Sequence, residues 1–211
     1  FLTATGYSMK TSEDKIVSFT GTLNTEDVNK EITIGSTTFN LLSNPFTTYI
    51  NSGALLDLVA NSNKLTSKTI WIWNPLTKNY DAKVSNSSFK LAPGQGFFVS
   101  CSTAGNLTFK EDIQNHETLD TFLKSSSKPE IQLNITDENL NRYTKIYYND
   151  IATNGFDNGF DGETFAGIEN KFDVFTQLIE NNKGENYQIQ SLPNKDLESI
   201  VIPVDPGFIF S

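Results

Sequence analysis

The chain holds one cysteine, one histidine, one arginine and one methionine among its 211 residues. Each scarcity removes a class of chemistry. Cys101 alone cannot close an internal disulfide, form a CxxC redox pair or build a thiolate zinc site. It lies in the apolar run FFVSC (97–101), where a small buried hydrophobe is the expected role, not a nucleophile. His116 has no second histidine to join, so no multi-His or Cys–His constellation can be built around it. Apart from Arg142 the cations are all lysines, and 16 basic residues against 25 acidic ones leave a net charge of -9. Nucleic-acid binding draws on a concentrated cationic surface that displaces counterions, and none is visible. Direct attachment to an anionic membrane is disfavoured for the same reason. The negative balance suits a solvated surface that resists association, or one that binds divalent cations.

Long apolar runs are missing too. No stretch approaches the roughly 18–20 residues of a membrane helix. The opening FLT starts in mature-looking sequence without a signal peptide, and the closing IFS follows a strand-like run with no natural stop. The expectation is a piece of a longer protein, with both neighbours removed. Scarce cysteine does not place it in the cytosol, since many exported bacterial proteins lack disulfides.

What the chain has in quantity is Thr, Ser, Asn, Ile and Phe. Residues of the apolar class make up 37%, including 16 Phe, 7 Tyr and 2 Trp, which is enough to bury a core and argues against disorder. β-branched and aromatic residues suit pleated strands, and Asn, Ser and Gly suit the turns between them. Period-2 alternation predicts a strand over 15–23, with Val17, Phe19 and Leu23 on one face. Strands over 31–34 and 38–42 follow, and Gly35-Ser36 between them suggests a hairpin. The segment 52–60 is the one helical stretch, with Ser52 as cap and Leu55, Leu56 and Val59 at helical spacing. Further strands are predicted over 69–73, 79–84, 96–101 and 106–110, each closed by Asn, Pro, Gly or Ser turns. The polar stretch KSSSKP (124–129) reads as a linker. Beyond it, strands are predicted over 130–135, 142–148, 171–176, 187–191 and 198–204. The fold class is therefore all-β. It comprises two β-sandwich (jelly-roll-like) units of mostly antiparallel short strands, one over 1–123 with a short helix, the other over 130–211 and truncated at its C-terminus.

The order of short motifs carries a resemblance. GYSMK (6–10), FTGTLNT (19–25), NLLSNPF (40–46), IWIWNP (70–75) and APGQGFFV (92–99) precede IYYNDIATNGFDNGFDGETF (146–165) and SLP (191–193). Together they resemble the region upstream of the C-terminal sorting domain in Bacteroidota cell-surface, adhesin-like proteins exported by the type IX secretion system. The resemblance implies an extracellular or surface-attached cargo protein. Its implied partners are the neighbouring domains of its parent chain, the export machinery and extracellular glycans.

Two candidate sites stand out. The loop 149–163 supplies Asp150, Asn154, Asp157, Asn158, Asp161 and Glu163, with Gly155, Gly159 and Gly162 to let it turn. Calcium takes six to eight hard oxygens, and such a loop can wrap the ion, although the spacing is not that of an EF-hand. The competing reading is an Asx-turn loop whose side chains bond nearby amides. Trp71 and Trp73 lie two apart on one strand, with Tyr80 on the next. They form either a platform for sugar rings or part of a sandwich core, the commoner fate. PGQG (93–96) lacks the GK[ST] of a phosphate loop and reads as a turn. With no HExxH and no GxSxG elbow, a hydrolase would have to rest on carboxylates alone, and the adjacent pairs Glu111-Asp112 and Asp137-Glu138 read as solvated turn charges. The expected role is a non-catalytic extracellular module acting in adhesion or as a structural spacer. The alternative is a carbohydrate-binding module of a secreted glycan-degrading enzyme.

Overall fold

The computed structural model describes residues 1–8, 20–115, 129–137, 140–168 and 172–195. It is an all-β protein divided into two compact units. The first comprises Phe1–Ile72 and Ser85–Thr121, the second Trp73–Val84 and Phe122–Ser211. The chain thus leaves the first unit once, at 73–84, before its final departure. Of the expected linker only Pro129 is among the described residues.

The strands of the first unit are β1 (Val28–Ile32), β2 (Phe39–Ser43), β3 (Tyr49–Asn51) and β4 (Thr69–Asn74), whose last two residues already belong to the second unit. After β5 (Asn79–Val84), which lies in the second unit, come β6 (Lys90–Leu91), β7 (Gly96–Ser100), β8 (Gly105–Phe109) and β9 (Gln114–Asn115). β7 lies between β2 and β4, antiparallel to both. β3 lies between β6 and β9. β1 pairs with β8, so the hairpin expected at Gly35-Ser36 does not form: β1 and β2 belong to different sheets. Ile32, Leu42, Ile50, Leu55, Leu56, Leu91, Phe97 and Phe109 meet in one core. The turn into β7 has Pro93 ahead of Gly94 at φ 69, with the Gln95 N–H bonded to the Ala92 carbonyl. A positive φ after proline suits glycine, and the PGQG segment is that turn.

Helix α1 (Ser52–Asp57) starts at Ser52 itself, so the cap lies one residue earlier than expected. Asn51 is the cap, its side-chain oxygen accepting from the N–H of Gly53 at 2.8 Å and of Ala54 at 3.3 Å. Leu58 has ψ 121, which breaks the helix before the single turn α2 (Val59–Ser62). That break leaves Val59 68% exposed while Leu55 and Leu56 stay in the core. Among the described residues, no helix is long and apolar enough to cross a membrane.

The remaining strands of the second unit are β10 (Glu130–Asp137), β11 (Leu140–Asn149), β12 (Gly162–Glu163) and β13 (Tyr187–Pro193). They form one sheet in the order β10-β11-β13-β12. β10 and β11 are an antiparallel hairpin, whereas β11 and β13 run parallel, with Tyr148 opposite Leu192 and Asn149 opposite Pro193. β13 is buried along its whole length, including Gln188, Gln190 and Ser191. β12 approaches β5 closely: a Cβ on Gly162 would stand 2.9 Å from Val84 Cγ1.

Three expected strands fall wholly or partly outside the described residues, and the described parts of two of them are not strand. Residues 20–23 are irregular and Leu23 is 67% exposed, while 15–19 lie outside the described residues. Of 171–176, residue 171 is outside them and only Thr176 bridges to Tyr187. The strand expected over 198–204 also lies outside them.

Candidate functional site

Segment 73–84 is held in the second unit by a buried polar brace. Arg142, the only arginine, lies on the inward face of β11 and is 2% exposed. Its Nε donates to Asp173 Oδ1 at 2.8 Å, and its Nη1 lies 3.5 Å from Asp81 Oδ1 on β5. Gln188 completes the arrangement: its Nε2 donates to Asp81 Oδ1 at 3.3 Å, and its Oε1 accepts the Ala82 N–H at 2.6 Å. Asn74 donates to the second Asp81 oxygen at 2.9 Å while accepting from the N–H of Leu76 and Thr77. Charges taken out of water persist only when paired and hydrogen-bonded, and each member here has its partners. Burial, and then the negative charge of Asp81, pushes the Tyr143 phenol well above its usual range.

The acidic loop divides its residues between two environments. Asp157 accepts from the Thr153 N–H at 2.6 Å and the Thr153 hydroxyl at 3.0 Å, an Asx-type closure. Asp161 is wholly buried; its two oxygens accept the N–H of Asp157 at 2.6 Å and of Ser191 at 2.7 Å. Both oxygens of each carboxylate are engaged within the protein, those of Asp157 by the Thr153 amide and hydroxyl and those of Asp161 by two backbone amides, and Asp161 ties the loop to the central strand β13. Burial pushes the Asp161 carboxyl up to about 7, partly offset by the two amide bonds. Glu163, on β12, is also raised by burial. Among the described residues, no three of His, Cys, Asp or Glu gather closely enough to hold a metal ion.

Asp150 and Asn154 face a different setting. Because Asn149 and Pro193 are register partners on parallel strands, the chain leaves both strands side by side. Asn194 Nδ2 then donates to Asp150 Oδ1 at 2.7 Å. The Glu180 N–H bonds the Asn154 carbonyl at 2.9 Å, and Asn154 Nδ2 reaches Glu180 Oε1 at 3.5 Å. Asp150, Thr153, Asn154, Glu180, Asn194 and Lys195 line a pocket of about 450 Å³ with an apolar contribution from Ala152 and Pro193. The pocket combines two of the six loop residues offered as calcium ligands, Asp150 and Asn154, with Glu180 and Asn194, which sequence reasoning missed. Polarity in the loops offered only a weak signal for those two, since their placement depends on the β11–β13 register.

The aromatic trio is also divided. Trp71 is 1% exposed in the first unit, edge-on to Phe39 at 5.4 Å. Trp73 belongs to the second unit and is 49% exposed, with Tyr80 at 5.2 Å and Phe165 beyond it, 4.5 Å from Tyr80. Cys101 is buried beside Asn40 and the Thr33 carbonyl, and burial raises its thiol. His116 and Glu138 lie outside the described residues. Compared with known proteins, the chain matches no family model, no curated protein and no solved structure.

Proposed function

We propose that this chain is a non-catalytic extracellular module of a type IX-secreted cell-surface protein, acting in adhesion or as a structural spacer between neighbouring domains. The motif order supports the location. The observation that carries the mechanical role is the Arg142 brace, which commits the only arginine to cross-linking strands 61 residues apart in sequence. A module that presents neighbours at a distance needs such internal rigidity more than a reactive centre. The commitment of Asp157 and Asp161 to hydrogen bonds within the protein supports the same reading. The test is surface labelling of a Bacteroidota cell that produces the parent protein. Antibody against this module should label intact cells or the medium, and the signal should vanish when type IX export is disabled. Retention inside the outer membrane of export-competent cells would overturn the proposal.

A second reading, a carbohydrate-binding module, is favoured by one observation: Trp73 exposes about half its surface beside Tyr80. Exposed aromatic faces stack on sugar rings. Trp73→Ala should then preserve the fold and abolish binding to polysaccharide, whereas undiminished binding would remove this reading.

A further inference from the structure

We propose that the pocket at the ends of β11 and β13 is a binding site for a neutral sugar unit, recognised through Asp150 and Glu180. Three observations converge on it. The first is size: about 450 Å³ falls in the range of small-molecule sites, roughly 300–1,000 Å³, and far exceeds the space an ion requires. The second is a pair of orphaned groups. Asn154 and Asn194 each commit their NH2 to a carboxylate, which sets the amide orientation, and each is left with an enclosed Oδ1 that has no hydrogen-bond partner. Buried unsatisfied oxygens oppose folding, and two of them at one pocket mark a place where the fold is not optimised for stability alone. The third is spare capacity. Asp150 and Glu180, both lining residues, each use one oxygen in these contacts, which leaves Oδ2 and Oε2 to accept from a ligand. Lys195 adds a donor.

The lining selects a ligand class. Two carboxylates with acceptor capacity call for a donor-rich partner, and adjacent ring hydroxyls supply paired O–H donors. Their charge repels uronic or sulfated sugars. The Lys195 ammonium opposes a bare cation, as does the lack of a third carboxylate among the described residues. Ala152 and Pro193 offer apolar surface for the C–H face of a ring. The inference shares a ligand class with the carbohydrate-binding reading but none of its residues, so the two can fail separately.

The experiment is saturation-transfer NMR and calorimetric titration of the whole chain with methyl glycosides of glucose, galactose and mannose, in chelator, with methyl glucuronide as the anionic control. The expected result is saturable binding of at least one neutral glycoside. Glu180→Gln and Asp150→Asn should each weaken it roughly tenfold or more, the worth of a hydrogen bond to a charged group. Trp73→Ala should leave it unchanged. Thermal unfolding of each variant checks that the fold is kept, and Glu180→Gln is the variant that spares the Asp150–Asn194 bond. The proposal is overturned by absence of saturable binding, by binding indifferent to both carboxylate variants, or by binding lost only in Trp73→Ala.

Discussion

Replacing Asp161 with asparagine isolates the energetic cost of an enclosed carboxylate. In the unfolded chain this group titrates near 3.8; in the fold, burial lifts it to about 7. The difference is roughly three units, or about 4 kcal/mol at 1.36 kcal/mol per unit. The folded pKa lies above the unfolded one, so between about pH 4 and pH 7 the fold holds a proton that the unfolded chain has released. Stability from this group is therefore fully present below pH 4 and is lost as pH rises toward 7. From pH 5 to pH 8 the loss integrates to roughly 3 kcal/mol. Asparagine carries no charge at either pH. The two amide donors land on different oxygens, however, so asparagine can serve only one of them. The other N–H then faces an NH2 group, at a cost of about 1–3 kcal/mol independent of pH. Urea unfolding of both proteins at pH 5 and pH 8 should show the variant weaker at pH 5 and the gap closed or reversed at pH 8. Glu163, also raised by burial, slopes the same way in both proteins and cancels in the comparison. Carbon-13 NMR of the Asp161 carboxyl gives the titration directly. Parallel pH profiles for the two proteins, with a carboxyl titrating near 4, would refute the reasoning.

Other perturbations probe the remaining supports. Arg142→Ala leaves Asp81 and Asp173 without their cation, and should cost about 3–5 kcal/mol in urea unfolding. A loss below 1 kcal/mol would show that the brace is dispensable. Trp71→Ala should cost about 3–5 kcal/mol, and Trp73→Ala, half exposed, about 1 kcal/mol or less. Equal losses would contradict their different burial. Asn61 is wholly buried and bonds the carbonyls of Leu55 and Thr108 and the N–H of Thr108, all at 2.8 Å. Asn61→Ala should therefore destabilise by roughly 2–4 kcal/mol, and a thermal midpoint within a degree of the parent would exclude that role.

Local patterns in the sequence reached as far as local forces do. The segments IWIWN and NYDAKV became β4 and β5 because apolar and β-branched residues were bounded by turn formers with their own hydrogen bonds, as Asn74 shows. PGQG was legible for the same reason. Pairing was not. Nothing in EITIGSTTFNLL says that the two strands flanking Gly35 go to different sheets, because the deciding partners, β8 and β7, are contributed by residues 53 to 81 positions later. Trp71 and Trp73 looked equivalent by alternation, yet the chain passes from one unit to the other between them. Arg142 gave a compositional hint through its uniqueness, but its role depends on Asp81, which is 61 residues away.

The acidic loop shows why a list of residue types in sequence underdetermines a site. Asp150, Asp157 and Asp161 look alike as candidate ligands, and what separates them is what their lone pairs face. Asp161 is enclosed and satisfied by two backbone N–H groups, so it closes the loop onto β13. Asp157 is half-buried and accepts from both the N–H and the hydroxyl of Thr153. Only Asp150 lies where two parallel strands end together, with one oxygen held by Asn194 and the other left over. A carboxylate with both oxygens already engaged by donors of its own loop or of β13 has less to offer a ligand, and pulling it away would leave those donors unpaired. The spare acceptor capacity of this loop therefore sits at its start, where the β11–β13 register brings in Asn194, and declines toward the residues that hold the loop in place.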